Sequence, residues 1–430
     1  MKKDLIIFVL LSVLVFAVWH RDLFNFFTQD DFIFINHLSQ NSLWQDIKNV
    51  FGPPQVTHWR PLHNLYFLIA GNIFGKNYFG YHVLTLLIHL GTTLLIYKIL
   101  RKLIKNFGAA VSSAFLYAIH PAHFVSLFWI SGGATVIGFF FLIASFYGYL
   151  LGKKIISLAL FALALLASEA MIVGIVIFGL GILLRRFETV QQRNVIAFGK
   201  FLTQITIITV VFVIIRFGFL TPVVTFNVYP MELSLKNLEA IKYYLLRIAG
   251  FAESSGDLAI SILLFGWLTI VAVFLVKRIL ERKNIYLMFS LAVIIVGLFP
   301  FILIPSHLSP HYMNVSIFGF SMIMAFSLKH SRVITTLMML VIFLVISFYN
   351  ISLTHKNNWV VMRSNLAKEY IAKIENDNPP VASTLMFDDN QLSTSQEAYI
   401  ALGKGEAIGF WFAGKNYKTC FVAFENCPKE

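Results

Sequence analysis

The sequence predicts an all-α polytopic membrane protein with a small α/β domain outside the membrane at its C-terminal end. Three observations point to this fold class. Of the 430 residues, 58% are hydrophobic and 13% are charged, about half the charged fraction of an ordinary soluble chain. Apolar runs of roughly 17 to 25 residues, long enough to cross a hydrocarbon core, recur along the chain. Basic residues are concentrated in alternate connections between these runs.

The first apolar run begins just after the basic pair Lys2-Lys3 and ends at Trp19. This arrangement resembles a signal peptide, but the run closes on Trp19-His20 without a small-x-small cleavage site. We therefore predict a retained first transmembrane helix.

Eleven segments have the length and composition of membrane spans: residues 4–20, 81–104, 107–119, 134–151, 155–167, 169–184, 198–216, 257–276, 285–304, 313–328 and 333–353. Alternate connections hold 18 of the 34 lysines and arginines and only three acidic residues. Because short basic loops stay in the cytoplasm, we expect a multi-pass protein of the cell membrane with its N-terminus inside and its C-terminus outside. The net charge of +13 is then a topology signal and not a nucleic-acid-binding patch.

Residues 1–353 form the predicted transmembrane domain, with two long outer loops at residues 21–80 and 217–256. The first loop contains an apolar run, Leu62 to Phe74, that is too short to span a bilayer. We predict that this run is a re-entrant or interfacial helix.

Residues 354–430 are more polar and form the predicted small extracytoplasmic domain. A helix is expected from Trp359 to Ile374, with short strands at 383–387 and 419–424. Cys420 and Cys427 would lie in an oxidising space, where a disulfide across a short loop is possible. Two free thiols are the alternative, since sequence alone does not define their geometry.

An acidic pair, Asp30-Asp31, follows the first span by about ten residues. Carboxylates near a bilayer surface are costly unless they are solvated, paired or functional. This pair would suit removal of a proton from an acceptor hydroxyl. Since consecutive side chains point in different directions, we expect one aspartate to act as base and its neighbour to support it. A solvated acidic turn is the alternative.

A second cluster, His58-Trp59-Arg60-Pro61, lies in the same loop. Arg60 could bind a phosphate group through two parallel hydrogen bonds, and Pro61 is suited to the first turn of a helix. Trp59 could stack on a sugar or anchor the chain at the membrane interface, as aromatic residues commonly do.

Two histidine pairs lie at the predicted outer ends of spans: His120 with His123, and His307 with His311, which Tyr312 follows. No carboxylate or thiol lies beside them at zinc-ligand spacing. We expect capping, hydrogen bonding or lipid-phosphate contact, with no metal required and a divalent metal as the alternative.

A single acid, Glu169, lies where the fifth and sixth predicted spans meet. A lone carboxylate near the membrane usually has a partner or a role. Eight groups fall on the predicted outer side: Asp30, Asp31, Arg60, His120, His123, Glu169, His307 and His311. One outward-facing site is the simplest interpretation.

The motifs follow one another in the order Asp30-Asp31 with Asn36; Arg60-Pro61-Leu62; Tyr81-His82-Val83-Leu84 with Leu87-Ile88-His89; His120-Pro121-Ala122-His123 with Trp129-Ile130-Ser131-Gly132; Ser168-Glu169; and His311-Tyr312 through Gly319-Phe320. This order, over about residues 28–325, resembles the C-class (GT-C) membrane glycosyltransferases. Within that class it is similar to the protein O-mannosyltransferases and the O-mannosyltransferase-like proteins that carry tetratricopeptide repeats.

The resemblance implies a GT-C fold, a polyprenyl-phosphate-linked sugar donor and an inverting transfer to an acceptor that could be a protein, a glycan or a lipid. It implies Asp30 as the catalytic base with Asp31 in support. Donor-phosphate contacts would come from Arg60, His311 and Tyr312. The remaining site-lining residues would be His58, His120, His123, Glu169 and His307.

The chain departs from the family pattern at Val125, Gly133 and Thr135, where the family usually has Glu, Arg and Asp, and it lacks the repeats. Three other functions stay open on the sequence. They are a glycan ligase with a lipid-pyrophosphate donor, a lipid transporter and a non-catalytic membrane protein.

Overall fold

A computed structural model describes residues 2–39, 42–53, 58–188, 193–220, 230–253, 257–280, 285–329 and 331–427. Parts of the two predicted outer loops (40–41, 54–57, 221–229 and 254–256) and of three basic connections (189–192, 281–284 and 330) lie outside these residues.

Helices dominate the described chain. The first nine are α1 (Lys2–Trp19), α2 (Asp30–Ser39), α3 (Leu43–Phe51), α4 (Pro61–Phe74), α5 (Tyr78–Ile104), α6 (Phe107–Ala118), α7 (Phe124–Phe128), α8 (Gly133–Leu150) and α9 (Lys154–Ala167). The next ten are α10 (Gly174–Glu188), α11 (Arg193–Val213), α12 (Lys236–Ala249), α13 (Leu258–Leu280), α14 (Ile285–Ile302), α15 (Asn314–Leu328), α16 (Val333–Asn357), α17 (Trp359–Asp377), α18 (Ser395–Ala401) and α19 (Glu406–Trp411).

Several helices begin at residues that satisfy their first backbone N–H groups or need no such bond. Pro61 occupies the first turn of α4, where its missing N–H is not required. Asn106 and Asn358 cap α6 and α17, each accepting a bond from a backbone N–H of the first turn, at 2.9 and 3.0 Å. Capping side chains and first-turn prolines can be recognised in the sequence, so they help to predict where these helices begin.

Six helical segments in the described parts of the chain are long and apolar enough to cross a membrane: Tyr78–Ile104, Gly133–Leu150, Gly199–Phe219, Leu258–Leu280, Ile285–Ile302 and Val333–Asn357. A seventh is possible if α6 and the following segment Pro121–Phe128, bent by 43°, form one span. The all-α polytopic membrane fold predicted from the sequence is confirmed at this level. The count of eleven spans and the orientation in the membrane stay predictions.

Helix α15 occupies the centre of the bundle, and all of its residues are buried. It packs closely on α14 through small residues. A Cβ atom at Gly297 would lie 2.5 Å from Ser316 Oγ, and one at Gly319 would lie 2.8 Å from the carbonyl oxygen of Ser290. Small residues of this kind let two membrane helices approach closely.

The C-terminal domain contains α17, α18, α19 and a two-stranded parallel sheet of β1 (Thr384–Phe387) and β2 (Lys418–Phe421), with Thr384 opposite Lys418. Both strands overlap the predicted ones. A disulfide joins Cys420 and Cys427.

The C-terminal domain and the first loop share one hydrophobic core. Phe27, Phe32 and Ile35 from the loop pack in the same buried cluster as Leu402 and Phe421 from the domain. The domain is therefore seated on the loop that carries the acidic pair.

Candidate functional site

Asp31 is buried in the first turn of α2 and ties that turn to the segment between α7 and α8. Its Oδ1 accepts hydrogen bonds from the backbone N–H and the hydroxyl of Ser131, at 2.8 and 2.5 Å. Its Oδ2 accepts a bond from the N–H of Thr28 at 3.0 Å. Burial raises the pKa of Asp31 to about 7, against the opposing effect of these bonds. Asp31 thus orients the turn from within the core.

Asp30 is partly exposed beside its buried neighbour. Burial raises the pKa of the Asp30 carboxyl, and three nearby charges act in the opposite direction. These charges belong to Lys404, His58 and Arg60, in decreasing order of effect. Of the acidic pair, Asp30 is the more exposed carboxylate, and the charges of Lys404 and Arg60, from two distant parts of the chain, act on it.

Arg60 and Glu169 form a bidentate ion pair. The Nε and Nη2 atoms of Arg60 each donate to one oxygen of Glu169 at 2.8 Å. His58 Nδ1 lies 2.9 Å from Glu169 Oε1. Glu169 occupies the Nε–Nη2 edge of Arg60. The two-bond contact of Arg60 with a phosphate group stays a prediction.

The pKa of His58 is lowered from its ordinary value. Burial lowers its pKa most strongly, and the charge of Arg60 lowers it further, while Glu169 raises it. The charge of Arg216 also lowers the pKa of His58, so this second arginine lies close to the same cluster.

Arg216, which the sequence pattern did not single out, is a further candidate residue of this cluster. Its side chain is 5% exposed and lies in the π-helical turn Ile214–Phe219 that continues α11, a kind of turn frequent at functional sites. Phe212, one helical turn earlier, stacks on Trp59 with ring centres 6.1 Å apart. This contact seats the end of α11 beside Arg60. In the sequence, the only feature that marks Arg216 is its position as a single arginine at the end of an apolar run.

His311 and Tyr312 lie in the short segment before α15. His311 Nδ1 is 2.6 Å from Ser309 Oγ, and its ring meets Trp129 edge to face at 5.8 Å. Burial, together with the charges of His307 and Arg60, holds the pKa of His311 well below its usual range.

Tyr312 stacks on Phe301 with ring centres 4.2 Å apart. His307 is partly exposed, and burial lowers its pKa, with a smaller effect of the His58 charge in the same direction. His58, Arg60, Glu169, His307 and His311 are therefore brought together at one end of the bundle.

His120 and His123, which we predicted to line the site, lie in the interior of the helix bundle. Both are buried. His120 Nε2 lies 3.0 Å from the carbonyl oxygen of Ile248, and His123 Nε2 lies 2.9 Å from that of Tyr117. Their rings satisfy backbone carbonyl groups inside the bundle, so they join segments of the core.

The structure also contains a buried pair of Asp22 and His82 that the sequence pattern did not predict. Both side chains are fully buried, with His82 Nδ1 2.9 Å from Asp22 Oδ1 and His82 Nε2 2.9 Å from the carbonyl oxygen of Asn25. Burial raises the pKa of Asp22, opposed by His82. The pair fastens the start of the first loop to α5 and so helps to position Asp30.

No group of three or more histidine, cysteine, aspartate or glutamate residues that could hold a metal ion occurs within the described ranges. Comparison of the sequence with protein-family models and with curated proteins gives no match. The assignment to a glycosyltransferase family therefore stays a prediction from the order of the motifs.

Proposed function

We propose that this protein transfers a sugar from a polyprenyl-phosphate donor to an acceptor hydroxyl group at the extracytoplasmic membrane surface. The observation that carries the proposal is the site around Asp30. A partly exposed carboxylate stands beside a buried, hydrogen-bonded one, and two arginines lie at the same end of a membrane helix bundle.

In the proposed reaction, Asp30 accepts the proton of the acceptor hydroxyl as its oxygen attacks the anomeric carbon. The bond between that carbon and the phosphate oxygen breaks, and the configuration inverts. Polyprenyl phosphate departs with the electron pair. Since phosphate is a good leaving group, positive charge around it suffices and no strong general acid is needed.

The charge balance of the cluster supports a phosphate site. Arg60 and Arg216 carry two positive charges, and Glu169, which pairs with Arg60 and acts electrostatically on Arg216, supplies one negative charge. Burial lowers the pKa values of His58 and His311 and disfavours their charged forms. This part of the site therefore has surplus positive charge, which suits a phosphate group at the bilayer surface.

The test is transfer by the purified protein from a radiolabelled polyprenyl-phosphate sugar, with Asp30→Asn as the variant. We expect a loss of about 10²- to 10⁴-fold in rate, the usual range for removing a general base. Glu369→Gln, an exposed acid on α17, is the matched control and should keep full activity. Undiminished transfer by Asp30→Asn would overturn the role of this residue.

A donor screen separates this reaction from that of a glycan ligase. A polyprenyl-monophosphate sugar should be used, and a pyrophosphate-linked glycan should not. Transfer only from the pyrophosphate donor would replace the proposal with the ligase.

A further inference from the structure

The turn that joins α18 to α19 lies directly against the turn that carries Asp30. The backbone N–H of Gln29 donates to the carbonyl oxygen of Ala401 at 3.1 Å. Gly403 has a φ of +57°, and a Cβ atom there would lie 2.5 Å from the carbonyl oxygen of Gln29. Only glycine meets both requirements, so the close approach of the two turns depends on this residue.

Both turns contain a non-glycine residue in the left-handed region. Lys404 has a φ of +64° between Gly403 and Gly405, and Gln29 has a φ of +52° immediately before Asp30. Such conformations are unfavourable for ordinary side chains and persist where the surrounding structure enforces them. A bond from the N–H of Lys404 to the carbonyl oxygen of Tyr399, at 2.8 Å, is part of that enforcement. The backbone of both turns is therefore held by the contact between them.

Further contacts fix the C-terminal domain on the first loop. Asn36 Nδ2 donates to Glu406 Oε2 at 2.6 Å, and Lys76 Nζ donates to the carbonyl oxygen of Trp411 at 2.6 Å. Together with the shared hydrophobic core, these bonds hold the Lys404 turn at a set position over α2.

The side chain of Lys404 is exposed and belongs to the turn whose backbone contacts Gln29, the residue before Asp30. Among the nearby charges, that of Lys404 has the largest effect on the Asp30 carboxyl and lowers its pKa. The other groups around this part of α2 are Asp31 on the helix itself, His58 and Arg60 from the segment before α4, His63 on α4, Asp46 and Lys48 on α3, His37 at the far end of α2, Glu406 on α19, and Arg363 on α17, which contacts Gln29 and pairs with Glu397 on α18.

We propose that Lys404 is a positioning residue for Asp30: its ammonium group pairs with that carboxylate and holds it ionised and directed at the acceptor. The C-terminal domain thereby completes the candidate active site. This inference rests on the proposed function for its catalytic consequence, while the pairing itself concerns only two side chains of this protein.

Carbodiimide labelling of the full-length protein tests the pairing without any substrate. Carbodiimides react with protonated carboxyl groups, so the pH of half-maximal labelling of Asp30, read by mass spectrometry, reports its ionisation. In Lys404→Met this midpoint should rise by about one pH unit or more, since loss of a nearby opposite charge favours the protonated form. Lys404→Arg should restore it.

The matched control is Lys368→Met, which removes an exposed lysine on α17 and should leave the midpoint unchanged. An unchanged midpoint in Lys404→Met, or an equal shift in Lys368→Met, would overturn the proposal.

Transfer activity provides the second measurement. The acidic limb of the pH–rate profile should move to higher pH in Lys404→Met and return in Lys404→Arg. If labelling shifts but the wild-type protein transfers no sugar, the pairing stands and the proposed function fails. If the wild-type protein is active and both the profile and the labelling of Lys404→Met match the wild type, the role of Lys404 fails and the proposed function stands.

Discussion

The ion pair between Arg60 and Glu169 offers a quantitative test of how the site is held together. Two N–H to oxygen bonds of 2.8 Å join the side chains, and each charge-assisted bond contributes about 1.5–3 kcal/mol when buried. The side chains are 21% and 26% exposed, so solvent screening reduces this contribution. We expect Glu169→Gln to destabilise the protein by roughly 2–3 kcal/mol, because Arg60 and Arg216 would lose their shared counter-charge.

The assay is a double-mutant cycle read by thermal unfolding in detergent, with Arg60→Gln, Glu169→Gln and the double variant. Each single variant should unfold a few degrees below the wild type. The double variant should lose clearly less than the sum of the two, since neither partner is then left with an unpaired charge. Strictly additive losses would refute the argument that these residues act as a pair.

Two further predictions concern neighbouring groups. Because burial raises the pKa of Asp31 to about 7, the folded protein binds this proton more tightly than the unfolded chain between about pH 4 and 7. Its contribution to stability is therefore lost as the pH rises through this window. Thermal unfolding measured from pH 5 to 8 should show a stability that falls with rising pH in the wild type and depends less on pH in Asp31→Asn. The same dependence on pH in both proteins would contradict a raised pKa of Asp31. Arg216→Gln should raise the KM for the polyprenyl-phosphate donor by about 10- to 100-fold, the effect of losing one charged hydrogen bond. Arg216→Lys should retain part of the affinity, and an unchanged KM in Arg216→Gln would exclude a phosphate contact.

The features of the fold that the sequence predicts are those governed by local chemistry. Apolar length and composition mark the membrane helices, and Pro61 marks the start of α4 because a proline at that position needs no N–H partner. The short strands of the C-terminal domain are marked by their local residue preferences. The number of spans depends on how short helices such as α9 and α15 sit in a bilayer, which their local composition does not determine.

The site depends more on contacts between distant residues. Arg60 and Glu169 are 109 residues apart in the chain, and the turn of Ala401 and Gly403 contacts Gln29, next to Asp30, from the opposite end of the sequence. The sequence places His120, His123 and His307 alike at the outer ends of predicted spans. In the structure, the ring nitrogens of His120 and His123 lie within hydrogen-bonding distance of the backbone carbonyl oxygens of Ile248 and Tyr117. Such differences arise from tertiary packing and leave no mark in the local sequence.

The most direct test of the central claim is a structure of the protein with a polyprenyl-phosphate sugar bound. The account predicts the phosphate within hydrogen-bonding distance of Arg60 or Arg216, with the anomeric carbon facing Asp30. A phosphate bound elsewhere, or an anomeric carbon beyond the reach of any acceptor held at Asp30, would contradict it.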